Sequence, residues 1–395
     1  MKILVCHNFY RDPGGEDQVV PATIELLRAR GHHVIELLAD NSEIGDGVLA
    51  QAAVGARLLV SPAMIRRTVE LVEAEQPDVA HVHNVFSQLT PSLYTGLARA
   101  GVPVVQSVHN YRFVCPNGLF YTHGEVCLRC TGGNFGHAVR LRCLHGSLSQ
   151  SVAYAASLQL HWAIGTFPHR LGILAAVSPF VAQQLARRVS GQIPIRVLPN
   201  FIDTAPVQPR EGPPGNYALY MGRLSPEKGV WRLLEAAERA PGLPIRVMGG
   251  GPDEAALREH IAARRMGNVE LLGYVEGDTR FDVVRNARCV VVPSQWHEPF
   301  GVVVLEAYAH GVPVIASRMG GLQTLVVEGE SGLLFEAADA GELASHLRWM
   351  AENPEQAAAM GSAGRRLVGE LYSPDVHYEQ LIALYEEACE RGTGR

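Results

Sequence analysis

Two carboxylates stand eight positions apart in Glu298-Pro299-Phe300-Gly301-Val302-Val303-Val304-Leu305-Glu306. The preceding Arg288-Cys289-Val290-Val291-Val292-Pro293-Ser294 has the unbroken apolar run of a buried parallel strand, and Gly301 to His310 has the pattern of a helix stopped at Gly311. Glu298 therefore falls in a strand-to-helix loop and Glu306 on the helix behind it. In an open parallel sheet, ligands bind beyond the carboxyl ends of the strands, where a helix N-terminus offers N–H groups to an anion. The amides near Gly301, Val302 and Val303 are thus a candidate phosphate seat, with one glutamate on either side to hold hydroxyls. From spacing alone, an ordinary strand and amphipathic helix with two surface glutamates fits as well.

A second cluster reads Tyr217-Ala218-Leu219-Tyr220-Met221-Gly222-Arg223-Leu224-Ser225-Pro226-Glu227-Lys228-Gly229, an apolar strand that runs into a glycine, an arginine and a lysine. The chain has 34 Lys plus Arg, yet Lys2 and Lys228 are its only lysines. A compact ammonium beside an arginine suits a diphosphate, with a fork for paired oxygens and a flexible point charge for the rest. The plainer alternative is a basic turn whose charges are satisfied by neighbours such as Glu227.

Taken together, these motifs resemble the retaining glycosyltransferases of family 4. The resemblance rests on Gly222-Arg223-Leu224-x-x-Glu227-Lys228-Gly229, the Gly249-Gly250-Gly251-Pro252 turn, Gly273-Tyr274-Val275, Pro293-Ser294 and the Glu298-x7-Glu306 spacing. Gly311-Val312-Pro313-Val314-Ile315-Ala316 and the tail from Val327 to Leu334 continue it in the family's order. In the first half it is looser, resting on Met1 to Asn8 as a first strand, the Gly14-Gly15 loop, and His109 at the end of a strand over 102–108. It implies an α/β GT-B fold, two Rossmann-like domains with parallel sheets facing across a cleft. It also implies transfer of a hexose-type sugar from a UDP- or GDP-linked donor to a glycan, lipid-linked or small-molecule acceptor. Arg223 and Lys228 would then stabilise the departing diphosphate. Glu298 would hold donor-sugar hydroxyls and Glu306 the ribose, with the base on backbone groups of Tyr274 and Val275. Gly222, Gly250, Gly301, Val302 and Val303 would line the donor loops, Gly14 and Gly15 would admit the phosphates, and His109 would lie near sugar and acceptor. Catalysis in this family requires no cofactor or divalent metal. A GT-B sugar-nucleotide epimerase and a non-catalytic nucleotide-sugar-binding scaffold are the alternatives. The two glutamates read as the close carboxylate pair of a retaining glycosidase, about 5 Å apart, fit the loop-and-helix placement less well.

Length and composition agree. A chain of 395 residues with 47% hydrophobic content is long enough for two cored domains. No apolar run reaches the length of a membrane span, and Met1-Lys2-Ile3-Leu4-Val5 opens on a strand and not on a signal peptide, so the expectation is a cytoplasmic protein. Strand and helix patterns alternate through both halves. The expected organisation is a first domain over 1–203, a linker over 204–216 with four prolines and two glycines, a donor-binding domain over 217–372, and a helical segment over 373–395 that crosses back.

Charge is unevenly spread. The balance is −6, yet residues 79–200 hold nine arginines and one acid, Glu125. A basic region in an acidic protein suggests an anionic partner, and 148–174, with Trp162, Phe167, His161, His169 and Arg170, is a candidate interfacial helix for peripheral membrane contact. Arginines on ordinary solvent faces would give the same count. No aromatic and basic interleaving points to nucleic acid. Four of seven cysteines, Cys115, Cys127, Cys130 and Cys143, crowd one stretch, and Cys127-Leu128-Arg129-Cys130 has the spacing of a zinc knuckle. A structural zinc, with His123, His137 or His145 replacing a thiolate, and plain buried thiols are both open readings.

Overall fold

The computed structural model describes residues 1–11, 14–45, 47–189, 191, 193–210 and 212–393, so Glu211, Gly394 and Arg395 of the expected linker and C-terminal segment lie outside the described residues. The chain divides into two compact units. The first comprises Met1–Thr122, Cys127–Pro199 and His377–Arg395, and the second His123–Val126 and Asn200–Val376.

In the first unit, β1 (Lys2–Phe9), β2 (His33–Asp40), β3 (Val79–Val82), β4 (Val104–Val108), β7 (Ile173–Ala176) and β8 (Ile195–Val197) form one sheet in the order β2-β1-β3-β4-β7-β8. The two-residue strands β5 (Tyr121–Thr122) and β6 (Glu125–Val126) lie outside it. Every pairing in the large sheet is parallel. Parallel strands are covered on both faces, which is why β3, β4 and β7 are buried at every position. The helix Pro374–Thr393 completes this core, with Leu381, Leu384, Tyr385 and Ala388 packed among Ile3, Val5, Val20 and Leu27. Each such large apolar side chain contributes about 1.5–3 kcal/mol on burial.

The second unit repeats the plan with β9 (Ala218–Met221), β10 (Ile245–Met248), β11 (Val269–Gly273), β12 (Cys289–Val292), β13 (Val314–Ser317) and β14 (Gly332–Phe335), ordered β11-β10-β9-β12-β13-β14 and again wholly parallel. In each sheet the strand order reverses at one place, between β1 and β3 in the first and between β9 and β12 in the second. Loops diverge there and leave a crevice at the strands' carboxyl ends. Residues following β9 and β12 include Arg223, Lys228 and Glu298; residues ending β1 and following β3 include His7, Asn8 and His83.

Two expectations change. The segment read as an interfacial helix over 148–174 is two helices, Leu148–Ala163 and Thr166–Arg170, broken at Gly165 with φ +79°, and it ends in β7. Its aromatic residues face the interior: His161, Trp162 and Phe167 are buried, and the Trp162 indole donates to the Phe113 carbonyl at 3.0 Å. The aromatic content that suggested a lipid interface is a core stripe. The proline-rich stretch after residue 203 belongs to the second unit, where Arg210 donates to the carbonyls of Ala287 at 2.8 Å and Gly311 at 2.7 Å. The described residues of 204–216 are half-buried or exposed and group with the second unit.

At the carboxyl end of the second sheet, Gly249 has φ +141°, and a Cβ there would sit 1.9 Å from the Gly222 carbonyl oxygen. Two strand-end loops meet at a distance only glycine permits. Gly249→Ala should therefore lower unfolding stability by roughly 3 kcal/mol or more, read from urea midpoints. Gly250→Ala, whose Cβ would meet only the Glu254 carboxylate at 3.7 Å, should leave the midpoint close to wild type.

Candidate active site

The β9–β12 crevice is organised around Glu298. Its Oε1 accepts from Lys228 Nζ at 2.8 Å, Ser294 Oγ at 2.7 Å and Trp296 Nε1 at 2.8 Å. Three donors on one oxygen fix the carboxylate's position and leave Oε2 to accept from a ligand. Lys228 also lies 4.9 Å from the Trp296 ring centre, so the indole holds the ammonium by both its edge-linked carboxylate and its face. The lysine comes from a short 3-10 turn, Pro226–Lys228, that ends in left-handed Gly229. A Cβ on Gly229 would lie 1.9 Å from the Pro293 carbonyl, so the turn can press against the end of β12. Lys228 remains half-exposed and Arg223 is exposed, as cations that meet a solvated anion should be.

Glu298 is tied on its other side through its backbone. It bridges Gly320, and its carbonyl accepts from the Gly321 amide at 2.7 Å. Gly301, at φ +113°, then starts the helix Val302–Ala309, where the Val304 amide turns back to the Gly301 carbonyl at 2.9 Å and the amides of Val302 and Val303 stand at the open N-terminus. Glu306 lies on that helix, and its Oε2 accepts from Arg280 at 2.6 Å. Burial raises the Glu306 pKa, against the pull of the Arg280 guanidinium. The sequence patterns single out neither Arg280 nor Trp296. Arg280 comes from a separate helix that tertiary packing brings to Glu306, whereas Trp296 lies two residues before Glu298 and is a signal that the sequence offers. Tyr274 and Val275 follow β11, and the Tyr274 ring is 77% exposed, a large apolar face left open.

The first unit contains a second polar site, built from buried histidines. His7 on β1 bonds Asp17 through Nε2 at 3.0 Å, and Asp17 in turn accepts from the Gly14 amide at 2.8 Å. The Gly14-Gly15 loop thus enters the helix Gly15–Ala29 under a carboxylate cap. A Cβ on Gly14 would meet nothing within 4 Å, so packing within the protein does not demand glycine there. His83 and His109 bond ring to ring at 2.9 Å, and His83 Nε2 and His109 Nδ1 are buried without a partner among the described residues. His81 bridges Ser107 at 2.8 Å and the Tyr385 hydroxyl at 2.7 Å. His83, His109, Glu16, Asn110 and Arg112 line one pocket. Glu16 is held by the Tyr10 hydroxyl at 3.0 Å, and burial raises its pKa.

The cysteines Cys115, Cys127, Cys130 and Cys143 line a separate pocket with His137. All seven cysteines are free thiols. Burial pushes the Cys115 thiol up to about 11 and that of Cys130 to about 12, with the neighbouring thiols adding to the rise. Among the described residues, no three His, Cys, Asp or Glu side chains already converge as a metal ion requires.

Comparison with known proteins fits this arrangement. Residues 13–206 match the family described as Glycosyltransferase Family 4, and residues 202–367 match Glycosyl transferases group 1. The chain belongs to glycosyltransferase family 4. Among curated members, D-inositol 3-phosphate glycosyltransferase 2 of Catenulispora acidiphila is 36% identical over 43% of this chain and 46% of its own length, so the chain spans about half of that relative. Phosphatidyl-myo-inositol mannosyltransferase of Mycolicibacterium smegmatis is 26% identical over 98% of this chain and 94% of that protein. The crystal structure of HepE from Anabaena in complex with UDP shares the GT-B fold, with TM-score 0.68 and 17% identity over 98% of this chain and 100% of that one. Among the described residues of this family 4 chain, no helix is long and apolar enough to cross a membrane.

The buried imidazoles make stability sensitive to acid. Burial lowers the pKa values of His81 and His109 to about 3 and that of His377 to about 4. Unfolded histidines bind protons near pH 6.5 and these folded ones do not, so their contribution is complete above that pH and is lost as pH falls toward 4. Each histidine contributes about 1.4 kcal/mol per pH unit at most. Glu16, with a raised pKa, works in the opposite direction. Melting temperature should therefore fall steeply between pH 6.5 and 4, and His81→Gln should flatten that slope; a profile unchanged by the substitution would show that His81 does not carry it.

Proposed function

We propose that this chain transfers a hexose-type sugar from a nucleotide diphosphate sugar, UDP- or GDP-linked, to an acceptor hydroxyl with retention of anomeric configuration and without a divalent metal. The observation that carries the proposal is the Lys228–Glu298 pair at the β9–β12 switch point, with Arg223 beside it and the start of the Val302–Ala309 helix behind it. Cations, helix amides and a fixed carboxylate at one strand end suit a molecule that is part diphosphate and part sugar. HepE, which shares the fold, is bound to UDP.

In the reaction, the bond between the anomeric carbon and the β-phosphate oxygen breaks, and negative charge develops on that oxygen. Lys228 and Arg223 stabilise the charge where it appears, and the first-turn amides near Gly301, Val302 and Val303 add oriented dipoles. Glu298 accepts from sugar hydroxyls through its Oε2, while its Oε1 stays saturated by protein donors. Glu306, held by Arg280, accepts from ribose hydroxyls, and the exposed Tyr274 and neighbouring Val275 border the base. The acceptor oxygen attacks from the face the phosphate leaves, and its proton passes to the departing phosphate oxygen. Gly222 and Gly250 in the donor loops, and Gly14 and Gly15 at the first helix, leave room for phosphate oxygens.

The first-unit pocket takes the acceptor side. His109 and His83 are neutral and carry unpartnered ring nitrogens, so they exchange hydrogen bonds with hydroxyls without adding charge. Arg112 and the surrounding arginine-rich segment favour an anionic acceptor. With the name of the Mycolicibacterium relative, this favours a lipid-linked or cell-surface glycan acceptor and a site of action at the inner face of the membrane.

Lys228→Ala should weaken donor binding and lower turnover, each by about 1.5–3 kcal/mol, the worth of one charge-assisted hydrogen bond. Calorimetry and thermal shift with UDP- and GDP-hexoses measure this, with Glu306→Gln as the ribose-side variant. Stabilisation by one nucleotide series, reduced in both variants, supports the assignment and fixes the base. Wild-type affinity retained in Lys228→Ala and Arg223→Ala would end it.

A further inference from the structure

The segment from Cys115 to Ser147 is poor in regular structure and rich in constrained backbone. It contains the two-residue strands β5 and β6 and one five-residue helix, Gly136–Arg140. Phe120, His123, Arg142 and His145 adopt φ between +46° and +52°, four of the seven non-glycine residues with positive φ among those described. Such conformations cost about 1–2 kcal/mol each and persist only where the surroundings enforce them. Few apolar side chains here are fully buried, chiefly Phe120, Phe135 and Ala138, which is a thin core for so much strained chain. Segments of this kind in folded proteins are fastened by disulfides or metals, and no disulfide is present.

The four sulfurs line one pocket together with His137, and the Cys115 thiol donates to Asn117 Oδ1 at 2.9 Å. The sequence supplies the set in a short C-x2-C pair, Cys127 and Cys130, and two flanking ligands, Cys115 and Cys143.

We propose that Cys115, Cys127, Cys130 and Cys143 bind one structural zinc ion as four thiolates. Zinc suits four soft sulfur ligands in a closed tetrahedron and leaves no open position for chemistry. Each thiol loses its proton to solvent as its sulfur binds. The sulfurs share one pocket without converging on a point, so binding draws them inward, and metal affinity is coupled to ordering of the segment. His137, on the pocket wall, stands outside the four-sulfur set.

The site has a consequence for the acceptor pocket of the first unit. Cys115 follows Asn110, Arg112 and Phe113, which line that pocket, and Arg112 Nη1 donates to the Pro116 carbonyl at 3.2 Å. Fastening Cys115 fixes the wall that presents Arg112. The zinc assignment itself is independent of which acceptor binds there.

Elemental analysis of the full chain, purified under reducing conditions without added metal, should find about one zinc per chain. Mercurial titration of the cluster should release it, and strong chelator should lower the melting temperature, with recovery on adding zinc. Cys127→Ser with Cys130→Ser should abolish binding, while Cys389→Ser should not. If the double variant fails to fold, cobalt exchanged into wild type should give the thiolate charge-transfer band and the intense visible bands of a tetrahedral sulfur site. Metal-free wild type whose thiols alkylate freely, and whose melting ignores both chelator and zinc, would overturn the proposal. So would a disulfide among the four cysteines.

Discussion

The second unit turns on a single carboxylate oxygen. Glu298 Oε1 takes three donors, from the turn after β9 and from Ser294 and Trp296 after β12. Its backbone is stitched to Gly320 and Gly321, just beyond β13. One residue therefore fastens three strand ends to each other. Placing an ionised group in a largely covered position is costly unless it is paired and hydrogen-bonded. Here the pairing ion is a lysine that keeps part of its surface in solvent, so Lys228 faces both the carboxylate and the open side of the site. Removing Trp296 or Ser294 would leave Lys228 in place and loosen what it leans on.

The first unit solves the opposite problem. At its own switch point it buries His7, His81 and His83 beside the half-buried His109, and imidazolium ions so close would repel one another strongly. Burial and mutual repulsion keep His81, His83 and His109 neutral. Neutral rings can alternate donor and acceptor roles along a chain that runs from Tyr385 through His81 to Ser107, with the paired His83 and His109 alongside. Tyr385 comes from the last helix, so this helix holds a ring nitrogen of a histidine on β3. One fold, used twice, thus carries a lysine–carboxylate strand-end site in one unit and a cluster of imidazoles beside Glu16 and Arg112 in the other.

The strands were legible because a parallel strand buried on both faces must be apolar throughout. Cys289–Val292 and Gly332–Phe335 lie at the limits their composition indicates. Gly301, Lys228 and Glu298 were legible as local motifs, since a glycine-started helix after a strand is a short-range pattern. Arg280 beside Glu306 was not, because 26 positions separate them and only the packing of one helix against another brings them together. The histidine cluster carried a signal in His81-Val82-His83: polar residues alternating at the end of an apolar strand place two rings on one face. The stretch at 148–174 misled for a physical reason. Aromatic and basic residues mixed in a helix look alike whether the rings meet lipid or core, and only the break at Gly165 turns Phe167 inward.

The proposed transfer asks different electrostatics of its leaving group and of its nucleophile. A leaving diphosphate gains charge as its bond breaks, so its site profits from cations already in place and needs no rearrangement when the charge appears. An attacking hydroxyl begins neutral, and a cation beside it would hold its electron pair and slow its attack. Neutral imidazoles orient such a hydroxyl without that penalty. The lowered pKa values of His81, His83 and His109 have the direction that the proposed acceptor role sets, and Lys228 has the charge that the proposed diphosphate role sets. Under the proposed function, the acid stability that these histidines cost follows from keeping their imidazoles uncharged.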